Sequence, residues 1–410
     1  MDDINTNKQF RIYDESSKYI RVSVDEAIAR GLNKWSRWQC SAGVRGLYID
    51  FDGNVWICNT ASSKLDRFNY AGWEDRVSQH LPEKITNSWW PIRNQLGQDY
   101  RKTKEAYEKV LDNTKENKKR YPGFLGNIFD GHDLPTTWFN CAWKSCGCGA
   151  DVVLAKARTD ENKSLLAVTN NGYRGRDKTS HNLVENIETP AAVEMNFSIP
   201  YQILWDLGRR CNYACSYCWP SVHNRTSEHK DYDLLIKTTD RLIDEWANGN
   251  SIRWNFGGGE PTLHPRFLDW LMYLKSKNQW TMVTSNGTRD HKYWAEAVEN
   301  LNSINLSAHF DGLKDEADED RFVRNVEVIC QHFDNHDDDH WLEVKLMAPP
   351  QYLDRALKLK EKITNLGTLD RPGSNNRIKG VVSLVPIRSI GDSGTLVEYT
   401  AEQLAKFQYQ

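Results

Sequence analysis

The second half of the chain alternates short apolar runs with longer amphipathic stretches. Each run has the length of a strand, and each stretch repeats its apolar residues at helical spacing. The runs are YQILWDL, IRWNF, WTMVTS, INLSAHF, WLEVKLM and IKGVVSLVPI. The stretches lie around Leu235, FLDWLMYL, YWAEAVENL, Val326, YLDRALKLKEKI and YTAEQLAKF. Six such βα units predict an α/β fold with a parallel sheet, and roughly 210 residues are too few for the eight-unit barrel of about 250. We therefore expect a partial (β/α)6 TIM-like barrel.

A polar, turn-rich segment separates this half from the residues before it. The segment NNGYRGRDKTSHNLVENIETP has no apolar period, which is typical of a linker. We predict a small α+β domain at residues 1–170, a linker at 171–199 and the barrel at 200–410. Within the first domain, GLYIDF and NVWIC alternate apolar and polar residues around Asp52-Gly53, which predicts a β-hairpin. A helix is predicted for the insertion RKTKEAYEKVLDNTKENKKRYP, whose charges are typical of a solvated face.

Composition and charge narrow the class of protein. Hydrophobic residues make up 39% of the 410 residues, which is enough for packed cores. The formal net charge of -3 gives no overall attraction to nucleic acid or anionic lipid. The first residues, MDDINTNKQFRIYD, lack the regions of a signal peptide, and no run approaches the ~20 apolar residues of a membrane span. We expect a cytoplasmic protein with no membrane partner.

Cysteines carry the strongest chemical signal in the chain. Nine cysteines in a reducing compartment indicate metal or redox chemistry rather than disulfides. Eight of them fall into three sets, which are Cys40 and Cys58; Cys141, Cys146 and Cys148; and Cys211, Cys215 and Cys218. The ninth, Cys330, lies in the helical pattern VRNVEVICQHF, and we interpret it as a buried, inert thiol.

The segment CNYACSYC directly follows the first predicted strand of the barrel. In parallel barrels the reactive groups lie at the carboxyl ends of the strands, so its three cysteines are placed for function. Three thiolates cannot complete the four-cysteine set of a closed iron-sulfur cluster, and one iron is left open to a small molecule. A structural zinc site would need a fourth ligand such as His223, and zinc sites usually pair their cysteines in short knuckles.

These motifs resemble those of the radical S-adenosylmethionine (SAM) superfamily, and the resemblance covers nearly all of residues 200–390. It implies that Cys211, Cys215 and Cys218 hold a 4Fe-4S cluster, with Tyr217 as the aromatic residue before the last cysteine. It also implies that the GGGEP turn holds the methionine end of SAM, and that the strand ends TSNGT and SAHFD contact the nucleoside. The implied SAM contacts are Gly258, Gly259, Glu260, Asn286, Ser307 and Asp311. A tight turn or a helix cap is the alternative interpretation of these polar and glycine residues.

The first domain resembles the SPASM and twitch auxiliary-cluster domains. Cys40 is followed by twelve residues, then Gly53, four residues and Cys58, which is the opening pattern of those domains. Completing a second 4Fe-4S cluster takes two more thiolates, for which we favour Cys146 and Cys148 with Cys141 as the substitute. The chain departs from the family pattern because this domain precedes the barrel and a long insertion separates its cysteines. An ordinary hairpin with two buried thiols is the alternative, and calcium is discarded because the later acidic ligands are missing.

The resemblance implies an enzyme that reductively cleaves SAM to a 5′-deoxyadenosyl radical and removes hydrogen from a substrate. A closed auxiliary cluster would accept an electron, which favours oxidative modification, although a structural role is the alternative. We expect a peptide substrate and an electron donor such as flavodoxin or ferredoxin. A small sugar, a nucleoside or an RNA is the alternative substrate, and a non-catalytic iron-sulfur or zinc adaptor is the alternative function. His309 and Lys345 are candidates for moving a proton at the barrel mouth.

Overall fold

A computed structural model describes residues 9–13, 19–23, 39–58, 124–129, 131–132, 139–140, 156–160, 163–169, 201–218, 223–334, 340–367, 379–387 and 397–408. The chain divides into two compact units. The first contains the described residues up to Leu204 together with Lys237–Arg253, and the second contains Trp205–Ile236 and the described residues from Trp254 onward. The predicted linker at 171–199, the predicted insertion helix and Cys141, Cys146 and Cys148 lie outside the described residues.

The first unit contributes ten short strands. They are β1 (Gln9–Tyr13), β2 (Tyr19–Ser23), β3 (Gln39–Cys40), β4 (Gly46–Ile49), β5 (Asn54–Trp56), β6 (Phe124–Asn127), β7 (Gly131–His132), β8 (Phe139–Asn140), β9 (Lys156–Asp160) and β10 (Lys163–Thr169). One sheet has the order β2-β1-β10-β9-β3-β8, and a second set has the order β4-β5-β6-β7. The pairings β1–β2, β1–β10, β9–β10, β4–β5 and β5–β6 are antiparallel. Short antiparallel strands of this kind suit local hairpin connections.

The predicted hairpin is present between β4 and β5, where Tyr48 pairs with Trp56 and Ile49 with Val55. Gly53 has φ +83°, a conformation that favours glycine. The Asp50 carboxylate closes the turn by accepting hydrogen bonds from the backbone N–H groups of Asp52 and Asn54, each at 3.0 Å. The same carboxylate accepts from the Trp56 indole at 3.1 Å. Asp50 therefore serves the turn, consistent with our rejection of a calcium loop.

The barrel half has the six predicted βα units. Its strands are β11 (Tyr201–Asp206), β12 (Ile252–Gly257), β13 (Trp280–Ser285), β14 (Ser303–His309), β15 (Trp341–Met347) and β16 (Lys379–Val385). Its helices are α1 (Tyr232–Arg241), α2 (Phe267–Ser276), α3 (His291–Ala297), α4 (Glu316–Asp334), α5 (Leu353–Asn365) and α6 (Ala401–Gln408). A π-helical turn at Leu242–Trp246 extends α1.

The six strands lie side by side in sequence order, from β11 to β16. The pairs β13–β14, β14–β15 and β15–β16 are parallel. A parallel array with helical crossovers in sequence order is the arrangement of a (β/α) barrel segment. The predicted α/β fold is thereby confirmed.

Aromatic side chains build the core between the sheet and α2. Trp205 of β11 packs edge-on to Trp270 of α2, with 5.3 Å between ring centroids. Phe256 of β12 lies 4.7 Å from the same indole ring. These side chains are at most 1% exposed, and burying each contributes roughly 2–3 kcal/mol. The alternation of apolar residues on the strands and the apolar face of the helix therefore meet in one core.

Two further expectations concern helices. Cys330 is fully buried in α4, which confirms the interpretation of its apolar pattern as a buried thiol. Among the residues that the structure describes, no helix has the length and apolar character to cross a bilayer.

Candidate functional site

The three-cysteine loop, residues 211–218, leaves the carboxyl end of β11 and is held by its own backbone. The Cys211 N–H donates to the Asn224 carbonyl at 2.7 Å, and the Cys218 N–H donates to the Cys215 carbonyl at 3.1 Å. The Tyr213 N–H points at the Cys211 sulfur at 3.4 Å. Cys215 is buried, while Cys211 and Cys218 are half-buried. Backbone hydrogen bonds thus hold the loop, with one of its thiols buried and the other two half-buried.

The thiols share one electrostatic environment. Burial, followed by the negative charges of Cys218, Asp311 and Cys211, raises the pKa of Cys215 to about 12. Burial also raises the pKa of Cys211, while the Tyr213 N–H lowers it. Such thiols lose their protons when a positively charged metal compensates the thiolates. The loop therefore fits an iron-sulfur cluster by the number and sequence spacing of its cysteines.

The three cysteine side chains of the loop are not arranged around one point as the ligands of a metal ion would be. Within the described part of the chain, no group of three or more His, Cys, Asp or Glu side chains is arranged as a metal site. His223, the zinc ligand considered in the sequence analysis, is among the residues that this finding covers. Three thiolates without a fourth protein ligand remain the donor set that leaves one iron open.

The GGGE turn at the end of β12 lies directly against the backbone that leads into the loop. The Gly259 N–H donates to the Gly208 carbonyl at 2.8 Å, and the Glu260 N–H donates to the Arg210 carbonyl at 2.9 Å. A Cβ on Gly259 would lie 2.4 Å from the Arg210 carbonyl oxygen, and Gly258 has φ +117°. Glycine is therefore required here by backbone contact and by conformation together.

Glu260 ties the ends of β12 and β13 together. Its carboxylate accepts from the Thr262 hydroxyl at 2.6 Å and from the Ser285 hydroxyl at 2.8 Å. It also accepts from the backbone N–H of Asn286 at 2.7 Å and of Thr262 at 3.1 Å. The side chain is 3% exposed, and burial raises its pKa while these hydrogen bonds lower it. The carboxylate is thus engaged by protein donors, and its contact with a bound methionine stays a prediction.

Asn286 reaches the cysteine loop from the end of β13. Its side-chain N–H donates to the Asn212 side-chain oxygen at 2.9 Å and lies 3.9 Å from the Cys211 sulfur. Its side-chain oxygen accepts from the Thr288 hydroxyl at 2.7 Å. Asn212 and Thr288 were missed from the sequence because each is an ordinary polar residue in a turn. The role of Asn286 in this structure is to position the loop, and the predicted nucleoside contact stays untested.

The end of β14 supports the loop from the other side. The Asp311 carboxylate accepts from the Ser216 N–H at 2.6 Å. The Tyr217 hydroxyl lies 3.0 Å from His309 Nδ1, and the two rings stack with centroids 5.8 Å apart. A Cβ on Gly312 would lie 2.3 Å from the Tyr213 ring. The end of β14 therefore brings Asp311 and His309 to the loop, where they contact Ser216 and Tyr217.

His309 is held in the neutral form. Burial lowers its pKa to about 4, against which the Asp311 charge acts only weakly. Burial also raises the pKa of Tyr217, so the phenol keeps its proton. A neutral imidazole paired with a neutral phenol orients the loop and excludes water, but it is not poised to deliver a proton near neutral pH.

Ser307 and Lys345 lie next to each other on neighbouring strands. The two residues are register partners in the β14–β15 pair. The Lys345 ammonium lies 3.3 Å from the Glu343 carboxylate. Ser307 is two residues before His309 and therefore on the same face of β14.

A cavity beside the GGGE turn contains residues that sequence reasoning missed. It is lined by Leu207, Gly208, Arg210, Glu228, His229, Gly257, Glu260, Pro261 and His264. The His229 and His264 rings lie 5.3 Å apart, and His264 Nε2 pairs with the Lys230 carbonyl at 2.9 Å. Burial, followed by the positive charges of His264 and Arg210, lowers the pKa of His229 to about 4. Of the cavity residues that sequence reasoning missed, only Arg210 could have been found from the sequence, because it lies directly before Cys211.

The first-domain cysteines lie in a separate part of the chain. Cys40 ends β3 and pairs in register with Phe139 and Lys156. Cys58 follows β5, and both thiols are buried. Because Cys141, Cys146 and Cys148 lie outside the described residues, the auxiliary cluster stays a prediction.

Comparisons with known proteins agree with this site. The Radical SAM superfamily model matches residues 205–344. Fe-coproporphyrin III synthase of Methanosarcina barkeri is 25% identical over 124 residues, which cover 30% of this chain and 30% of that protein. Mycofactocin maturase MftC of Mycobacterium ulcerans is 26% identical over 119 residues, covering 29% and 31%. GTP 3′,8-cyclase of Vibrio vulnificus is 30% identical over 102 residues, covering 24% and 30%.

The chain spans less than a third of the length of each of these three relatives. The matched region nevertheless contains the loop of Cys211, Cys215 and Cys218, the GGGE turn and the supporting end of β14. This chain therefore contains a domain that matches the Radical SAM superfamily, whose members are S-adenosylmethionine-dependent enzymes.

Proposed function

We propose that this protein reductively cleaves SAM at a 4Fe-4S cluster held by Cys211, Cys215 and Cys218, and that the resulting 5′-deoxyadenosyl radical removes hydrogen from a peptide. One observation carries the proposal. The GGGE turn contacts the backbone that leads into the loop of the three cysteines, and Asn286 and the end of β14 contact that loop itself. When bound there, a cluster with three thiolate ligands supplies an open iron position and an electron.

The protein residues bind, orient and exclude water. The backbone of Gly258 and Gly259 packs against the carbonyl groups of Gly208 and Arg210, and the methionine end of SAM would lie beside this turn. Glu260 fixes that surface to the end of β13 through Ser285 and Asn286. Tyr213, Tyr217 and His309 form an aromatic wall along the loop. Such a wall limits access of water to a reactive intermediate.

The first domain is proposed to hold a second cluster through Cys40, Cys58 and two of Cys141, Cys146 and Cys148. Four thiolates would close that cluster, so it would exchange electrons without binding SAM. An electron taken from the substrate radical would make the net reaction an oxidation. Burial of both Cys40 and Cys58 is compatible with this role.

Two substrate classes have support from the names of relatives. A peptide is favoured because auxiliary-cluster domains often accompany peptide-modifying family members, and one relative is a maturase. A nucleotide is the second candidate because another relative is a GTP 3′,8-cyclase. Fold and cofactor do not choose between them, since specificity lies in the residues that contact substrate.

Anaerobic reconstitution tests the proposed function. The full chain is supplied with iron and sulfide, then with SAM and dithionite in place of flavodoxin or ferredoxin, and 5′-deoxyadenosine is quantified. The wild type should form it, and the Cys215→Ala variant should not. Iron binding without any 5′-deoxyadenosine from the wild type would favour the non-catalytic adaptor instead.

A further inference from the structure

Strands β13 to β16 have two faces of opposite character. The face covered by helices is apolar and at most 6% exposed at Val283, Ile304, Leu306, Leu342, Val344, Leu346, Val382 and Leu384. Helix α5 packs against β15 and β16 on that side. The alternate residues on the inner face are the polar Thr284, Asn305, Ser307, Glu343, Lys345 and Ser383 beside the apolar Met282, Trp341, Met347, Val381 and Val385. The sheet is therefore apolar towards its helices and carries polar and charged residues towards the interior of the partial barrel.

A polar inner face is unusual for a barrel core. In a closed barrel the interior is filled by layers of bulky branched side chains. Here Thr284 is exposed, and Glu343 and Lys345 are partly exposed. An interior that is polar and open to solvent is suited to a polar ligand rather than to packing.

An ion pair lies at the centre of this face. The Lys345 ammonium and the Glu343 carboxylate are 3.3 Å apart, with the two side chains 29% and 21% exposed. Ser307 and Ser383 are the register partners of Lys345 on the two neighbouring strands, and Asn305 is that of Glu343. A half-buried ion pair contributes little net stability, because the loss of hydration offsets the attraction. Stability alone therefore does not explain two opposite charges among neutral polar side chains.

The Lys345–Glu343 pair lies on the face of the sheet that also carries His309, a residue of the candidate site. Ser307, beside Lys345, is two residues before His309 on the same face of β14. Two residues of a strand span roughly 6.6 Å. The His309 ring stacks on Tyr217 of the cysteine loop. A group bound at Lys345 would thus lie on the same face of the sheet as His309, which contacts the loop.

We propose that Lys345, flanked by Ser383, binds a carboxylate of the substrate, while Glu343 accepts a hydrogen bond from the adjoining amide and Asn305 donates one to it. This inference rests on the proposed function and deepens it, because it makes the substrate an acidic peptide. A carboxylate suits the site because its single negative charge matches the single positive charge of Lys345. It would replace Glu343 as the partner of the Lys345 ammonium. A phosphate dianion carries two negative charges. Lys345 would compensate only one of them, and the Glu343 carboxylate would repel the other.

Two synthetic peptide pools test the assignment. Both are randomised octapeptides, and they differ only in a fixed central residue, glutamate in one and glutamine in the other. The reconstituted full chain receives each pool, and 5′-deoxyadenosine formed above the peptide-free rate is measured. The glutamate pool should stimulate the wild type at about tenfold lower concentration than the glutamine pool, the change expected for one charge-assisted contact. The Lys345→Met and Lys345→Gln variants should lose this preference.

Matched controls separate the possible outcomes. Lys362→Met removes another paired lysine, the partner of Glu316 and Asp320, and should keep the preference. Circular dichroism and iron content identify any variant that fails to fold, and two substitutions at Lys345 guard against that failure. Equal stimulation by the two pools, stimulation by neither, or a preference that survives both Lys345 variants would overturn the carboxylate site. Absence of 5′-deoxyadenosine from the wild type without peptide would instead overturn the proposed function.

Discussion

The two described cysteine regions of this chain differ in how their thiols are brought together. Cys211, Cys215 and Cys218 lie within eight residues of one loop, and the ends of β12, β13 and β14 hold that loop in place. Cys40 ends β3 and Cys58 follows β5, and their proposed partners come from a distant segment of the sequence. A ligand set carried by one loop needs only neighbours that position it. A set gathered from separate segments depends on the whole domain fold.

Replacing Cys215 with alanine should have the largest effect. The variant should lose 5′-deoxyadenosine formation to background, because two thiolates cannot hold the cluster with one open iron. Iron content and 5′-deoxyadenosine, measured after anaerobic reconstitution, check the prediction. Cys330→Ala is the control, since this buried thiol of α4 is outside both proposed ligand sets. Wild-type activity in Cys215→Ala would refute the assignment of the loop.

Replacing Cys58 should distinguish the roles of the two cysteine regions. The variant should keep 5′-deoxyadenosine formation but lose product formation, because the electron acceptor and not the radical source is removed. Iron content should fall from about eight to about four per chain. Mass spectrometry of the peptide and iron analysis provide the measurements. Equal loss of 5′-deoxyadenosine and product would indicate a folding role, and unchanged iron would rule out the second cluster.

Replacing Glu260 with glutamine should weaken activity less severely, by roughly 10- to 100-fold, as expected for residues that orient a ligand set. The carboxylate accepts four hydrogen bonds, and an amide in its place would direct an N–H at one of those donors. The KM for SAM and the rate of 5′-deoxyadenosine formation measure the effect. Glu316→Gln, on a side chain that is 79% exposed, should leave both unchanged. If the two variants behave alike, Glu260 does not position this site.

Replacing Gly312 with alanine should have a smaller effect. The new Cβ would lie 2.3 Å from the Tyr213 ring, so the loop must shift, at a cost of about 1–3 kcal/mol. Chemical denaturation and the iron content after reconstitution measure the change. Gly208→Ala is the matched control, because a Cβ there meets nothing within 4 Å. Equal stability of the two variants would show that β14 does not constrain the loop.

The smallest effect at neutral pH concerns protonation of two histidines. The pKa of His309 and that of His229 are each lowered to about 4 from the ordinary 6.5. Between these values the two histidines are protonated in the unfolded chain but neutral in the folded chain. The stability of the fold should therefore decrease as the pH is lowered from 6.5 towards 4. Denaturation midpoints across this range should show a weaker pH dependence in His309→Gln and His229→Gln. A dependence identical to wild type in both variants would contradict the burial argument.

Much of the fold was predictable because its signals are local. The alternation within WLEVKLM and INLSAHF and the helical period of the stretches between them identified all six βα units. The Asp52-Gly53 turn identified its hairpin, since a positive φ at Gly53 is a local requirement. The division of the chain into two compact units could not be predicted from local signals. Lys237–Arg253 belongs to the first compact unit although it lies within the sequence of the barrel.

The sequence by itself determined the chemistry of the loop, because the spacing of Cys211, Cys215 and Cys218 within one segment specifies three thiolates and one open iron. Only the tertiary structure decided what the polar residues at the strand ends do. Glu260, Asn286 and Asp311 looked like ligand contacts from their positions, and in the structure they bind loops of the protein. The same is true of the inner face around Lys345, whose polar character depends on strand register. Hydrogen-bond partners and shared faces join residues far apart in sequence, and no local period encodes them.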